Sequence, residues 1–265
     1  MNIPCYIINL EKEKEKKTKM KQVCKRNNIQ PTFINAIYGK NLEKEYIQKI
    51  CNQSEAKKNL GRELTPGEIG VALSQLSIYK KMLSENIEVA LIFEDDVDFR
   101  FSENYLKDLI KKLPNDWECL MLGHHTKRSR DIDTLASVWF QLKLNDKEKI
   151  VRFAESPFGA YAYLINLSGA KKMLKEYEII NKPIDHWNDR IINLYGINPS
   201  VVNVDDENIK VSLLHEERTN TVVNRNFTQK IKDKIKNILI KMKLLNIYFR
   251  INNYIKRFRT LYKYN

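Results

Sequence analysis

The segment VALIFEDDVD at 89–98 constrains this chain more than any other: five apolar residues in a row run directly into the carboxylates of Glu94, Asp95 and Asp96. Such a run predicts a buried strand. Acids clustered where a buried strand ends are a common way to hold a divalent cation at the carboxyl edge of a sheet, where strand ends leave a crevice. Taken without context, the same acids also suit a plain solvated strand end.

What surrounds that strand fixes the fold class. CYIINL at 5–10 has the β-branched and aromatic make-up of a buried first strand, and residues 11–17 form a solvated charged stretch. A helix is expected over 18–27, and PTFINAIYG reads as a second strand ending at Gly39, so strand, helix and strand come in the order that begins a parallel sheet. Thr65-Pro66-Gly67-Glu68 marks a helix start: a hydroxyl cap, proline at the first position and glutamate three residues after the cap. Apolar Ile69, Ala72, Leu73, Leu76, Tyr79 and Leu83 follow at helical spacing, so a helix over 66–84 delivers the chain to the strand at 89–93. Further on, 102–113 reads as helix, 117–122 as strand, 124–150 as polar and irregular, and 161–165 as strand. Ser168 caps a helix to 177, Pro183 opens another to 195, and 200–204 and 209–214 are short strands.

The net charge of +13 is placed unevenly. Residues 228–265 carry eleven basic side chains against Asp233 alone, a net +10 that leaves +3 for residues 1–227. The body is near neutral, so a nucleic-acid-binding face spread over the fold is not expected. The division is therefore a folded domain over 1–227 and a basic tail over 228–265. In the tail Ile231, Ile235, Ile238, Met242, Leu245 and Phe249 recur every three or four residues among lysines, the pattern of a helix lying on an anionic membrane surface or packing in a dimer. Cys5, Cys24, Cys51 and Cys119 show no metal-binding spacing, and no stretch has the roughly 18 apolar residues of a membrane span. The expectation is a cytoplasmic protein, peripheral on the inner face of the cytoplasmic membrane.

Glu94 and Asp96, at alternate positions past the strand, can point to one side and share a cation, with Asp95 turned the other way towards a ribose or a backbone amide. Two carboxylates leave a divalent metal half-coordinated, with room for the phosphate oxygens of a nucleotide.

CYIINLEKEKEKK, FINAIYG at 33–39, LTPGEIGVALSQLSIYK at 64–80, ALIFEDDV at 90–97 and FGAYAYLINLSGAKKML at 158–174 stand in an order that resembles glycosyltransferase family 25, which includes bacterial lipooligosaccharide biosynthesis enzymes. The resemblance spans about residues 3–220. It implies an α/β, GT-A-like architecture: a single Rossmann-type mixed sheet flanked by helices, here followed by the amphipathic tail. It also implies Mn²⁺ or Mg²⁺ held by Glu94 and Asp96 in the position of the family's acidic motif, with glutamate replacing the first aspartate. The reaction implied is inverting transfer of a hexose, galactose in the first instance, from a UDP-sugar to a lipid-linked oligosaccharide of the lipopolysaccharide core. Asn9 and Leu10 would lie by the uridine, Glu68 and Asp95 would join the donor contacts, Arg218 would face the diphosphate, and His215 would be a third metal ligand or a pyrophosphate contact. The family usually has histidine where Gln75 stands here.

An inverting transfer needs a base for the acceptor hydroxyl. Asp185, in the first turn of the helix expected from Pro183, is the candidate, with Glu155 and Asp189 behind it; Trp187 suits either a sugar ring or the core, and His124 and His125 are read as loop residues near the acceptor. Two other classes remain open: a non-catalytic basic protein binding membrane or nucleic acid through its tail, and a metal-dependent phosphohydrolase using the acids.

Overall fold

A computed structural model describes residues 3–124, 136–153, 157–188 and 191–204, together with 231, 234 and 235. Its elements in order are β1 (Cys5–Asn9), α1 (Lys14–Arg26), β2 (Pro31–Asn35), a 3₁₀ turn (Gly39–Asn41), α2 (Lys44–Ile50), α3 (Gln53–Leu60), α4 (Pro66–Ser84), β3 (Val89–Glu94), β4 (Val97–Phe99), α5 (Glu103–Lys112), β5 (Cys119–Met121), β6 (Ala136–Lys143), β7 (Lys149–Phe153), β8 (Ala162–Asn166), α6 (Leu167–Glu176), β9 (Leu194–Asn198) and β10 (Val202–Val204).

Eight strands form one mixed sheet in the order β2-β1-β3-β8-β5-β9-β7-β6, and β4 pairs with β10 in a separate ribbon. The expected mixed sheet flanked by helices is what the chain forms. β1 runs parallel to β2 and β3, β8 runs against both β3 and β5, and β5 is parallel to β9. The ends of β1, β2, β3, β5 and β9 therefore share one edge, where β8 begins.

Every residue of β1 is buried, because each face of the sheet carries its own core. Tyr6 and Ile8 join Ile69, Ala72, Leu76, Tyr79 and Met82 of α4 on one face, while Cys5 and Ile7 join Met20, Val23 and Cys24 of α1 and Leu106 and Leu109 of α5 on the other. That period-two division forces a central strand to be apolar throughout. Buried Ile78 and Met82 face inward on α4, whereas Leu83 is exposed.

α4 is locked at the shared edge by its start. Thr65 Oγ1 accepts the Glu68 N–H at 3.2 Å while Glu68 Oε2 accepts the Thr65 N–H at 3.0 Å, a complete capping box. The loop after β2 lies against this first turn backbone to backbone: a Cβ on Gly39 would stand 1.6 Å from Pro66 O, and one on Gly70 2.4 Å from Ile37 O. Ser74 adds a hook, accepting the Ile37 N–H at 2.8 Å.

Five expectations need correction. α1 begins at Lys14, inside the stretch read as solvated, and β2 ends at Asn35, four residues before Gly39. The cap of α6 is Asn166, whose side chain accepts the Gly169 N–H at 2.8 Å; Ser168 Oγ instead donates to Glu118 Oε1 at 2.7 Å. The span read as irregular over 124–150 contains β6 and the start of β7. Among the described residues no helix follows Pro183: the chain makes a turn closed by His186 N–H to Pro183 O at 3.1 Å, and Leu194 is already in β9. The short strand expected at 209–214 and almost all of 228–265 lie outside the described residues; Ile231 and Ile235 are helical and exposed. No described helix is long and apolar enough to cross a membrane.

Candidate active site

Glu94 closes β3 beside Ile8 of β1, its N–H bonded to Tyr161 O at 2.9 Å, and Asp95 and Asp96 make the turn into β4. Asp95 and Asp96 both approach one ammonium, that of Lys16, so Asp95 is not turned away from Asp96, and its closest hydrogen-bond partner is a side chain of β1. Buried Asn9 donates through Nδ2 to Asp95 Oδ2 at 2.6 Å and to Glu13 O at 3.1 Å, pinning the acid turn to the chain that enters α1. Leu10, partly buried, closes that entry by accepting the Glu13 N–H at 2.9 Å. Lys16, in the first turn of α1, stands with Nζ 3.5 Å from Asp95 Oδ1 and 4.0 Å from Asp96 Oδ2.

Three acids on one partly buried turn oppose one another's ionisation. Burial, then Asp96, Asp95 and Asp185, push the Glu94 carboxyl up to about 8, with Lys16 acting against them. Burial likewise raises Asp95 and Asp96, opposed in both by Lys16. Asp96 Oδ1 is buried and has no hydrogen-bond partner among the described residues. An orphaned carboxylate oxygen beside a carboxyl that resists ionisation is relieved by a cation. Among the described residues no three His, Cys, Asp or Glu side chains converge as a metal cage. The arrangement therefore fits a cation held by Glu94 and Asp96, with oxygens of a bound ligand filling the other positions.

A second group stands across this edge. Arg62 grips Glu68 with both nitrogens, Nη1 to Oε2 at 2.8 Å and Nη2 to Oε1 at 2.6 Å, the Glu68 side chain being 1% exposed. The Arg62 guanidinium is raised above its ordinary range, first by that carboxylate and further by Asp185. Since Asp185 also acts on Glu94, its charge reaches both groups. Its segment is tied into the same neighbourhood: Cys51 bridges to Ile180, Asn52 N–H donates to Ile180 O at 2.9 Å, and Gln53 exchanges bonds of 2.8 and 3.2 Å with the backbone of Leu64. Asp185 is thus brought to the site by a turn, and the helix-dipole rationale for it falls.

Other expected contributors are used elsewhere. Trp187 is core, its Nε1 donating to Gly159 O at 2.8 Å and its ring edge-on to Tyr163. His124 is buried, Nε2 3.2 Å from Ile197 O and edge-on to Phe153, which corrects its reading as a loop residue near an acceptor. Gln75 is fully buried, with Nε2 donating to Ala160 O at 3.2 Å and Oε1 accepting from Tyr163 Oη at 2.9 Å, so it braces the start of β8. His125, Glu155, Asp189, His215 and Arg218 lie outside the described residues. Sequence reasoning missed Lys16 and Arg62. Lys16 left no signal in a run of alternating Glu and Lys, while Arg62 stood three residues before a recognisable cap.

The sequence is similar to those of known proteins. The chain is 26% identical over 190 residues to procollagen galactosyltransferase 1-A of Xenopus laevis, covering 69% of this chain and 30% of that protein. It is 30% identical over 192 residues to a glycosyltransferase 25 family member of Aedes aegypti, again covering 69% and 30%. The chain thus spans about a third of the length of these relatives. Among solved structures, the crystal structure of a glycosyltransferase involved in the glycosylation of the major capsid of PBCV-1 aligns with 67% of this chain and 66% of its own, at 9% identity and a TM-score of 0.33. The family model described as glycosyltransferase family 25 (LPS biosynthesis protein) matches residues 2–188. Ordered motifs, the acid turn and that match lead to one conclusion: the chain belongs to glycosyltransferase family 25.

Proposed function

We propose that the protein is a metal-dependent, inverting glycosyltransferase that moves galactose from a UDP-sugar to a saccharide of the lipopolysaccharide core. The observation that carries the reading is the acid turn at the sheet's carboxyl edge, with its orphaned Asp96 oxygen and strongly raised Glu94. Galactose is supported by the procollagen galactosyltransferases among its relatives, and the lipopolysaccharide acceptor by the family's description. Glu94 and Asp96 would hold Mn²⁺ or Mg²⁺, which when bound neutralises charge building on the leaving diphosphate. Asn9 and Asp95 fix the turn on which those ligands stand, and Leu10 ends the strand beside it. Glu68, with both oxygens engaged by Arg62, anchors the opposite wall, and its donor role is to set that wall's position. Asp185 takes the proton from the acceptor hydroxyl as that oxygen attacks the anomeric carbon. His215 and Arg218 complete the reading as further contacts to the metal and the diphosphate. The basic tail would hold the enzyme on the cytoplasmic face of an anionic membrane, where a lipid-linked acceptor is met. Incubation with UDP-galactose, Mn²⁺ and a truncated core acceptor should release UDP; no turnover with any UDP-sugar in the presence of acceptor sinks the proposal.

A further inference from the structure

We propose that Lys16 is the resident counter-ion of the acid turn and is handed to the donor's diphosphate when a divalent cation takes the carboxylates. The inference rests on the nucleotide-sugar reading above. Its basis is geometric: Nζ sits between two carboxylates, 3.5 Å from Asp95 Oδ1 and 4.0 Å from Asp96 Oδ2, too far from either for a tight pair. The side chain remains 35% exposed on a helix that begins at the sheet's carboxyl edge, so its four-carbon stem can swing without disturbing the core.

A cation entering at Glu94 and Asp96 places two positive charges where an ammonium already balances the acids. Like-charge repulsion then drives Nζ outward, while the ligand oxygens that complete the cation's shell bring negative charge beside it. A lysine ammonium, a mobile point charge with three donors, suits phosphate oxygens. Lys16 thereby opposes the bare cation and favours the cation together with its nucleotide, so the two bind best as a pair.

The test uses the full chain and binding alone. Mn²⁺ is titrated by electron paramagnetic resonance without nucleotide, and UDP is then titrated by calorimetry at saturating Mn²⁺. Lys16→Met should bind Mn²⁺ roughly tenfold more tightly, the effect of withdrawing one charge a few ångströms away in a partly solvated site. The same variant should bind UDP roughly tenfold more weakly, and Lys16→Arg should keep both values near those of the wild type. A misfolded variant cannot move the two affinities in opposite directions. Unchanged or weaker Mn²⁺ binding, or unchanged UDP binding, in Lys16→Met overturns the role of Lys16 while the wild type binds both; a wild type that binds neither overturns the nucleotide-sugar reading beneath it.

Discussion

Replacing Arg62 by alanine should cost about 3–5 kcal/mol of stability. The size follows from what is left behind. Arg62 supplies two hydrogen bonds, at 2.8 and 2.6 Å, to a Glu68 side chain that is only 1% exposed. Without it the carboxylate still accepts the Thr65 N–H at 3.0 Å but loses the positive charge that faces both its oxygens. A buried charge stripped of its partner is the costly case, whereas replacing both members with neutral groups of similar volume is close to neutral. Glutamine at position 68 can still close the capping box. Arg62→Met/Glu68→Gln should therefore recover most of what Arg62→Ala loses. Urea unfolding followed by tryptophan fluorescence and far-ultraviolet circular dichroism measures each variant, and the single variant's Tm should fall by roughly 10 °C. A loss below about 1 kcal/mol for Arg62→Ala, or a double variant as unstable as the single one, refutes the reasoning, because the pair would then behave like an exposed ion pair.

Three further outcomes are expected. Asp96→Ala should abolish UDP release while leaving the circular dichroism spectrum unchanged, and retained turnover removes Asp96 from the cation site. Glu94, raised from 4.5 to about 8, favours the protonated fold, so its contribution is complete below pH 4.5 and is lost as pH rises through about 8. In chelator, the wild type should lose roughly 4 kcal/mol more than Glu94→Gln between pH 5 and 9, and parallel pH profiles exclude a buried acid there. Deleting 228–265 should weaken binding to anionic liposomes more than it lowers turnover on a soluble acceptor; unchanged lipid binding removes the tail as an anchor.

Most of the sheet's first half was legible in the sequence because its signals are local. CYII and VALIF are apolar throughout, which only a two-faced core demands, and Thr65-Pro66-Gly67-Glu68 writes the start of α4 in its own hydrogen bonds. β6 was not legible: ASVWFQLK mixes apolar and polar residues, and its strand identity comes from pairing with β7. α1 was read too late because its first buried residue is Met20, a full turn and more after Lys14. Pro183 misled for a related reason, since a proline before polar residues signals a turn as readily as a helix start. The acid turn was found from sequence, but what surrounds it was not. Lys16 and Asp95 are 79 positions apart, and only the pairing of β1 with β3 brings them together.

The placing of β5 bears on how the chain is made. Its neighbours in the sheet are β8 and β9, both encoded after it. When Cys119–Met121 leaves the ribosome, the edge of β3 it approaches is not its partner, and the strand that joins them ends at Asn166, about 45 residues later. At about 5–20 residues per second of synthesis, an apolar strand waits some seconds without a mate. During that interval β1, β2 and β3 can already pair in parallel around α1 and α4, leaving the nascent chain with a half-sheet whose open β3 edge invites the wrong strand. Slow translation between β5 and β8 would lengthen this exposure, and chaperone contact should be concentrated there.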